Sequence, residues 1–302
     1  MPDSAKALPQ SSTAASRSGL TYALLAFVLW GLFPLYFHAL ADVPSIEVLA
    51  HRVIWSALLL AGWAAWRGRL GPILAEFGKP RRMGFYALTT VLISANWWIF
   101  IWAIQNGRVL EGSLGYYINP LMSVLFGIVF FRERISGLKK ISLLLAAIGI
   151  VLMTYQLGKL PWVAVVLAVS FSVYGALKKQ LHLNPFSSIT LETLLMMPFA
   201  VPYIGMLMMS PANHFSLATP DLALYLMGTG VVTAVPLVLF SYGANLLPLN
   251  VLGFFQYISP TIGLLLGIFF FHETFGMAQI SALGFVWAAI VLFTVAESLR
   301  GR

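Results

Sequence analysis

The sequence contains no cysteine, so it can form no disulfide, thiolate metal site or cysteine nucleophile. Charge is almost as scarce. Asp, Glu, Lys and Arg make up 9% of the 302 residues, too few to keep the surface of a soluble domain of this length wet. Acid is the scarcer sign, with 10 Asp and Glu against 18 Lys and Arg, and no Asp lies in the middle of an apolar run. The five His are scattered, and "HET" (272–274) lacks the second His of a zinc-protease motif. These absences argue against an enzyme, and neither a metal nor a cofactor is expected. The alternating ten-residue segments of a membrane β-barrel are missing. No basic stretch is interleaved with aromatics, so the net charge of +8 does not point to nucleic acid.

What remains is apolar. Hydrophobic residues make up 60% of the chain and the mean hydropathy is +0.88. They fall in blocks of about 20, the length that crosses a hydrocarbon core of about 30 Å. Backbone polar groups in lipid must be satisfied internally, so these blocks read as helices. Spans are expected near 20–41, 46–66, 84–106, 112–131, 138–156, 161–177, 186–209, 221–245, 249–271 and 277–297. The weakest division is the "NLLPLN" between the eighth and ninth. Residues 1–19 read as a polar, disordered cytoplasmic tail. The first apolar block is too long for a signal-peptide core and is read as a retained helix.

The basic residues test this count. With the N-terminus in the cytoplasm, 15 of the 18 Lys and Arg fall on the cytoplasmic side. Only Arg108 and Lys159 face out, and Arg52 lies within a span. This is the positive-inside pattern, with both termini cytoplasmic.

The segment "YINPLMSVLFGIVFFRE" (117–133) returns as "YISPTIGLLLGIFFFHE" (257–273), with nine of seventeen positions identical at a spacing of 140 residues. "IGIVLMT" (148–154) matches "AAIVLFT" (288–294) at the same spacing. Five spans per copy is an odd number, so the second copy enters the membrane inverted. The charges agree: the first copy ends among Arg132 and Arg134, the second in His-Glu-Thr. The expected fold is therefore all-α integral membrane, ten transmembrane helices as two inverted five-helix repeats. Repeat 1 would cover 20–156, repeat 2 157–297, and 298–302 a cytoplasmic C-terminus. Inverted repeats with a midplane site belong to secondary transporters.

The strings "WGLFPLYF" (30–37), "HRVIWS" (51–56), "NWWIFIWAIQNGRVLEGSLGYYINPL" (96–121) and "FQYISPT" (255–261) resemble the drug/metabolite transporter superfamily, in its EamA-type branch. More closely, they resemble the RarD-type permeases, named for an association with chloramphenicol sensitivity. The similarity covers nearly the whole chain after residue 19. It implies a cavity lined mainly by spans 1–4 and 6–9, with spans 5 and 10 as supports. It implies no particular substrate.

Ionisable groups inside a membrane cost roughly 2.5–3.5 kcal/mol on insertion scales, so each asks for a role. Arg52 lies seven residues into the second span, about 10 Å from its outer end at 1.5 Å per residue. It is a candidate for an anionic or carbonyl group, or for bonding to neighbouring carbonyls by snorkelling. Glu47 is a candidate partner in recognising a zwitterion. Glu192 stands at the repeat spacing from Arg52, near the inner end of span 7, and is a proton-coupling candidate with His51. Trp98, Trp102 and Gln105 recur at i, i+4 and i+7 on span 3, a stripe suited either to an amphipathic aromatic ligand or to an interfacial belt. Tyr117 and Asn119 beside Pro120, and Gln256, Tyr257 and Ser259 beside Pro260, would form kinked midplane sites with the prolines as hinges. Ser123 with Gly127 and Gly263 with Gly267 read as small-residue packing pairs.

The expected function is a permease for a small amphipathic drug or metabolite in the bacterial inner membrane. An amino-acid-like cargo is the alternative, and a non-transporting sensor the alternative from another class. The expected partners are the bilayer and a small-molecule substrate, with a homodimer left open.

Overall fold

The computed structural model describes residues 11–131, 136–181, 185–211, 213–216, 218–247 and 255–300. Among these the regular structure is entirely helical. In chain order come α1 (Ser11–Gly31), α2 (Phe33–His38), α3 (Ser45–Trp66), α4 (Leu70–Leu74), α5 (Pro80–Gln105) and α6 (Val109–Phe131). The second half holds α7 (Gly137–Leu157), α8 (Trp162–Leu181), α9 (Pro185–Met208), α10 (Pro220–Leu246), α11 (Ile258–Leu265) and α12 (Met277–Arg300).

Local chemistry sets the boundaries. α5 and α10 open on Pro80 and Pro220, where a helix needs no N–H. The Ser136 side chain caps α7, accepting from the Lys139 amide, and Gly158 ends it at φ 64°. Pro260 falls in the first turn of α11, because that helix begins only at Ile258. Pro120 instead lies inside the continuous α6. After α11 the helix widens into a π turn, Leu266–Phe270. The "NLLPLN" division runs partly outside the described residues.

Seven of the expected spans coincide with helices long and apolar enough to cross a membrane: Arg17–His38, Ser45–Trp66, Pro80–Gln105, Gly137–Gln156, Phe186–Met208, Pro220–Gly243 and Met277–Ala296. Trp162–Lys178 and Ile258–Phe270 are apolar but shorter. This is a multi-pass membrane protein, and its surface fits that solvent. Leu58, Val91, Val151, Phe199, Leu224 and Val291 are each more than half exposed, while charged and polar side chains such as Glu47, Arg52, Asn96 and Glu192 are buried in the interior.

α1 packs on α10, α8 on α5, α6 on α8, α11 on α1, α3 on α9 and α10, α6 on α11, and α7 on α12. Two apolar cores result. One joins α2, α3, α5, α9 and α10 around Phe37, Leu60, Tyr86 and Ile101. The other joins α6, α7, α11 and α12 around Tyr117, Ile118 and Val286. Close approach depends on glycine at two contacts. A Cβ on Gly230 of α10 would lie 2.5 Å from that of Trp55, and one on Gly263 of α11 would lie 2.5 Å from the Ser113 hydroxyl. A Cβ on Gly267 would lie 2.6 Å from the Leu110 side chain in the same way. The side chain of Ser123 and the surroundings of Gly127 lie outside the described residues.

We call proximal the end of the bundle where α1 begins and α12 finishes, and distal the opposite end. The proximal connection carries α4 and a short 3₁₀ turn, Ala75–Gly78. There Glu76 bonds Lys79 at 2.5 Å and Arg82 at 2.8 Å. Burial pushes the Glu76 carboxyl up, but the two cations outweigh it and hold the group below the usual range.

Candidate functional site

The polar faces of α3, α5, α8, α9 and α10 turn toward one another. Arg52 is the centre of the distal half of this interior and is 3% exposed. Gly230 lets α10 approach α3, and Thr233, three residues on, meets the guanidinium. The Thr233 hydroxyl donates to the Thr229 carbonyl at 2.9 Å, which leaves its oxygen to accept from Arg52 Nε at 2.8 Å. The guanidinium carbon lies 4.0 Å from the Trp97 ring centroid, 5.4 Å from Phe37 and 5.6 Å from Phe33. Three rings on α2 and α5 therefore surround the cation. Arg52 Nη1 is buried with no hydrogen-bond acceptor, and one turn along α3 the Ser56 hydroxyl is likewise buried and unpartnered. Cation–π contacts contribute about 0.5–2 kcal/mol. They supply no acceptor for an N–H, whose loss inside a protein costs about 1–3 kcal/mol and more on a charged group.

The proximal half holds another buried charge. Glu192 on α9 is fully buried, but it is well partnered. Its Oε2 accepts from Tyr174 at 2.9 Å and from Lys178 Nζ at 3.1 Å, both on α8, and its Oε1 accepts from Ser188 at 3.4 Å. Lys178 also donates to the Tyr174 hydroxyl. Glu47, in the first turn of α3, is 1% exposed and faces His214, with Nδ1 to Oε2 at 2.8 Å and the His214 amide 3.3 Å from Oε1. Glu47 is thus committed to the α9–α10 connection, not to a joint site with Arg52.

The other candidates fall into distinct places. His51 is buried with both ring nitrogens unpartnered and its ring 4.9 Å from Phe215. Trp98 is 42% exposed on the flank, its indole N–H donating to Ser45 at 2.9 Å. The aromatic over Arg52 is its neighbour Trp97. Trp102 packs 5.2 Å from Trp162, with Arg108 5.4 Å from its ring, as a distal aromatic cluster. Gln105 donates to the carbonyls of Leu40 and Val43, both at 2.9 Å, and so ties α5 to the α2–α3 turn. Tyr117 bonds Thr261 at 2.7 Å and stacks on Tyr257. Asn119 accepts from Ser172 through both its carbonyl and its side chain, at 3.1 and 2.6 Å. Gln256 is exposed and Ser259 half-buried. The sequence alone gave no sign of Thr233, Tyr174 or Phe33 as partners.

A cavity of about 300 Å³ opens at the distal end, lined among others by Arg108, Glu111, Lys159, Glu273 and Gln279. Its carboxylates are committed to helix starts. Glu273 accepts from the amides of Val109 and Leu110 at 2.6 and 2.9 Å, and Glu111 from that of Val163 at 3.0 Å. Burial pushes the Glu273 carboxyl up, and its bonds to the two amides offset only part of that. None of the residues around Arg52 lines this cavity.

The EamA-like transporter family model matches this chain twice, over residues 17–155 and 160–295. "Uncharacterized transporter YojE" of Bacillus subtilis is 39% identical over 94% of this chain and 96% of its own. "Protein RarD" of Salmonella typhimurium is 36% identical over 93% and 95%, and "Chloramphenicol-sensitive protein RarD" of Pseudomonas aeruginosa 30% over 92% and 93%. A solved crystal structure, 17% identical, superposes with a TM-score of 0.59 over 95% of this chain and 99% of that one, a likeness of fold alone. The chain belongs to the EamA-like transporter family, among its RarD-like members.

Proposed function

We propose that this EamA-like transporter is a secondary permease of the bacterial inner membrane, moving a small amphipathic molecule by alternating access. Its ten spans form two inverted five-helix halves, residues 20–156 and 157–297, with both termini cytoplasmic. The observation that carries the reading is the polar interior between these halves, with Arg52 and Thr233 toward one end and Glu192 and Tyr174 toward the other. A protein stabilised by apolar packing alone would have no need to bury them.

Two features support the inverted halves. The family model matches once over each. The helix packing is also preserved when the halves are exchanged. The α1–α10 contact has its counterpart in α8–α5 and α6–α8 in α11–α1, while α3–α9, α6–α11 and α7–α12 each join an element to its own copy. A two-fold axis in the membrane plane requires this pattern. Glu192 is the coupling candidate: a proton on it would weaken its bonds to Lys178 and Tyr174, which link α8 to α9. The ionisable groups facing it are Lys178, Tyr174 and, at longer range, Tyr86.

The test is flux in proteoliposomes, with and without an imposed pH gradient. Saturable uptake that grows with the gradient and loses that dependence in Glu192→Gln is expected. Uptake that does not saturate, or a gradient dependence unchanged in that variant, counts against the reading.

A further inference from the structure

We propose that the cargo binds as a monoanion: Arg52 recognises a carboxylate-type group, and Trp97, Phe33 and Phe37 hold the planar apolar body that carries it. This rests on the transport reading and names the class of molecule that reading leaves open.

The inference begins with the charges in the interior. Four carboxylates lie within the expected spans, Asp221 and Glu297 at a span's first and last position and Glu47 and Glu192 further in. Glu47 faces His214 at 2.8 Å, and Glu192 has Lys178 at 3.1 Å with Tyr174 and Ser188 as further donors. Neither is near enough to bond Arg52, which is left as a buried cation with no counter-charge among the described residues. Its polar neighbours are neutral: Thr233, and Tyr116 within electrostatic range.

The geometry then says what can complete it. Nε is taken by Thr233, so the guanidinium is fixed in orientation. Nη1 remains buried and without an acceptor. An arginine held on one edge presents a planar donor that matches a carboxylate. A single fixed positive charge neutralises one negative charge, so a dianion such as phosphate would carry a surplus charge into a wall of aromatic rings. The rings exclude water, which strengthens the pairing; they are buried here, so a flat apolar body stacks on them in the conformation that opens α2 and α5 to the cargo. A neutral or cationic amphipath would leave the Arg52 charge uncompensated. Chloramphenicol, the neutral compound in one relative's name, would bind more weakly than an acid of similar size.

The test uses three probes that share one ring and differ in charge: phenylacetate, phenylacetamide and phenethylamine. Binding is read by thermal shift of the detergent-purified chain and transport by uptake into proteoliposomes. Phenylacetate is expected to bind ~10-fold or more tighter than the amide and the amine. Arg52→Gln abolishes that preference, and Arg52→Lys, which keeps the charge should the glutamine variant fail to fold, retains part of it. Equal or tighter binding of the amide or amine overturns the proposal, as does a preference that survives Arg52→Gln. So does the absence of any shift with phenylacetate, benzoate or indole-3-acetate at millimolar concentration. Saturable transport of the amine or amide without the acids would leave the transport reading standing and sink this one. Binding of the acids without flux would do the reverse.

Discussion

Arg52 and Glu192 stand 140 residues apart, at one register of the two copies, and both are buried in the apolar interior of the bundle. Their surroundings differ. Glu192 is met by Lys178, Tyr174 and Ser188, so its charge and both its oxygens are matched within the protein. Arg52 is met by one threonine oxygen and three aromatic rings, and Nη1 has no acceptor. A buried charge costs several kcal/mol unless it is paired and hydrogen-bonded. One half of the molecule meets that cost within itself. The other leaves it to be met from outside, which distinguishes a charge the protein pairs itself from a recognition site.

The comparison is broken most severely on its paired side. Lys178→Met leaves Glu192 as a lone buried anion and should destabilise the chain by about 3–5 kcal/mol. The double variant Lys178→Met with Glu192→Gln should recover most of that loss, as a double-mutant cycle in chemical denaturation would read. A smaller effect is expected on the Arg52 side. Gly230→Ala places a methyl 2.5 Å from Trp55 and should cost about 1–3 kcal/mol by overpacking. It should also weaken binding at Arg52, because Thr233 moves with α10, while leaving the response of Glu192 to a pH gradient intact. The smallest effect lies outside the membrane. Lys79 and Arg82 are partly exposed, so Glu76→Gln should cost no more than ~1 kcal/mol, and less at high salt. The Glu76 carboxyl is held below its usual range, so its contribution is complete at neutral pH. It fades as the pH falls through that lowered value, and native and variant melting temperatures should converge there.

Seven of the spans were legible as apolar runs, and the burial of Arg52 and Glu192 because an ionisable residue in such a run stands out on cost alone. Their partners were not. Lys178 reads in the sequence as one more basic residue at the cytoplasmic end of a span, and only the tertiary structure turns it inward to Glu192. Trp97 and Trp98 differ by about 100° on their helix. α5 carries apolar residues all round its circumference, so its apolar pattern does not fix which indole faces the core. The structure puts Trp97 over Arg52 and Trp98 against Ser45. Pro260 shows a different limit, since a proline inside an apolar run marks a kink or a helix start equally well.

The most direct measurement is the melting temperature of the ligand-free chain beside Arg52→Gln and Lys178→Met, in one detergent at neutral pH. If Arg52 is held for cargo, its removal relieves an unmatched charge, and Arg52→Gln should melt no lower than the native chain while Lys178→Met melts well below it. An Arg52→Gln variant that falls as far as Lys178→Met would make Arg52 a structural pillar and contradict the account.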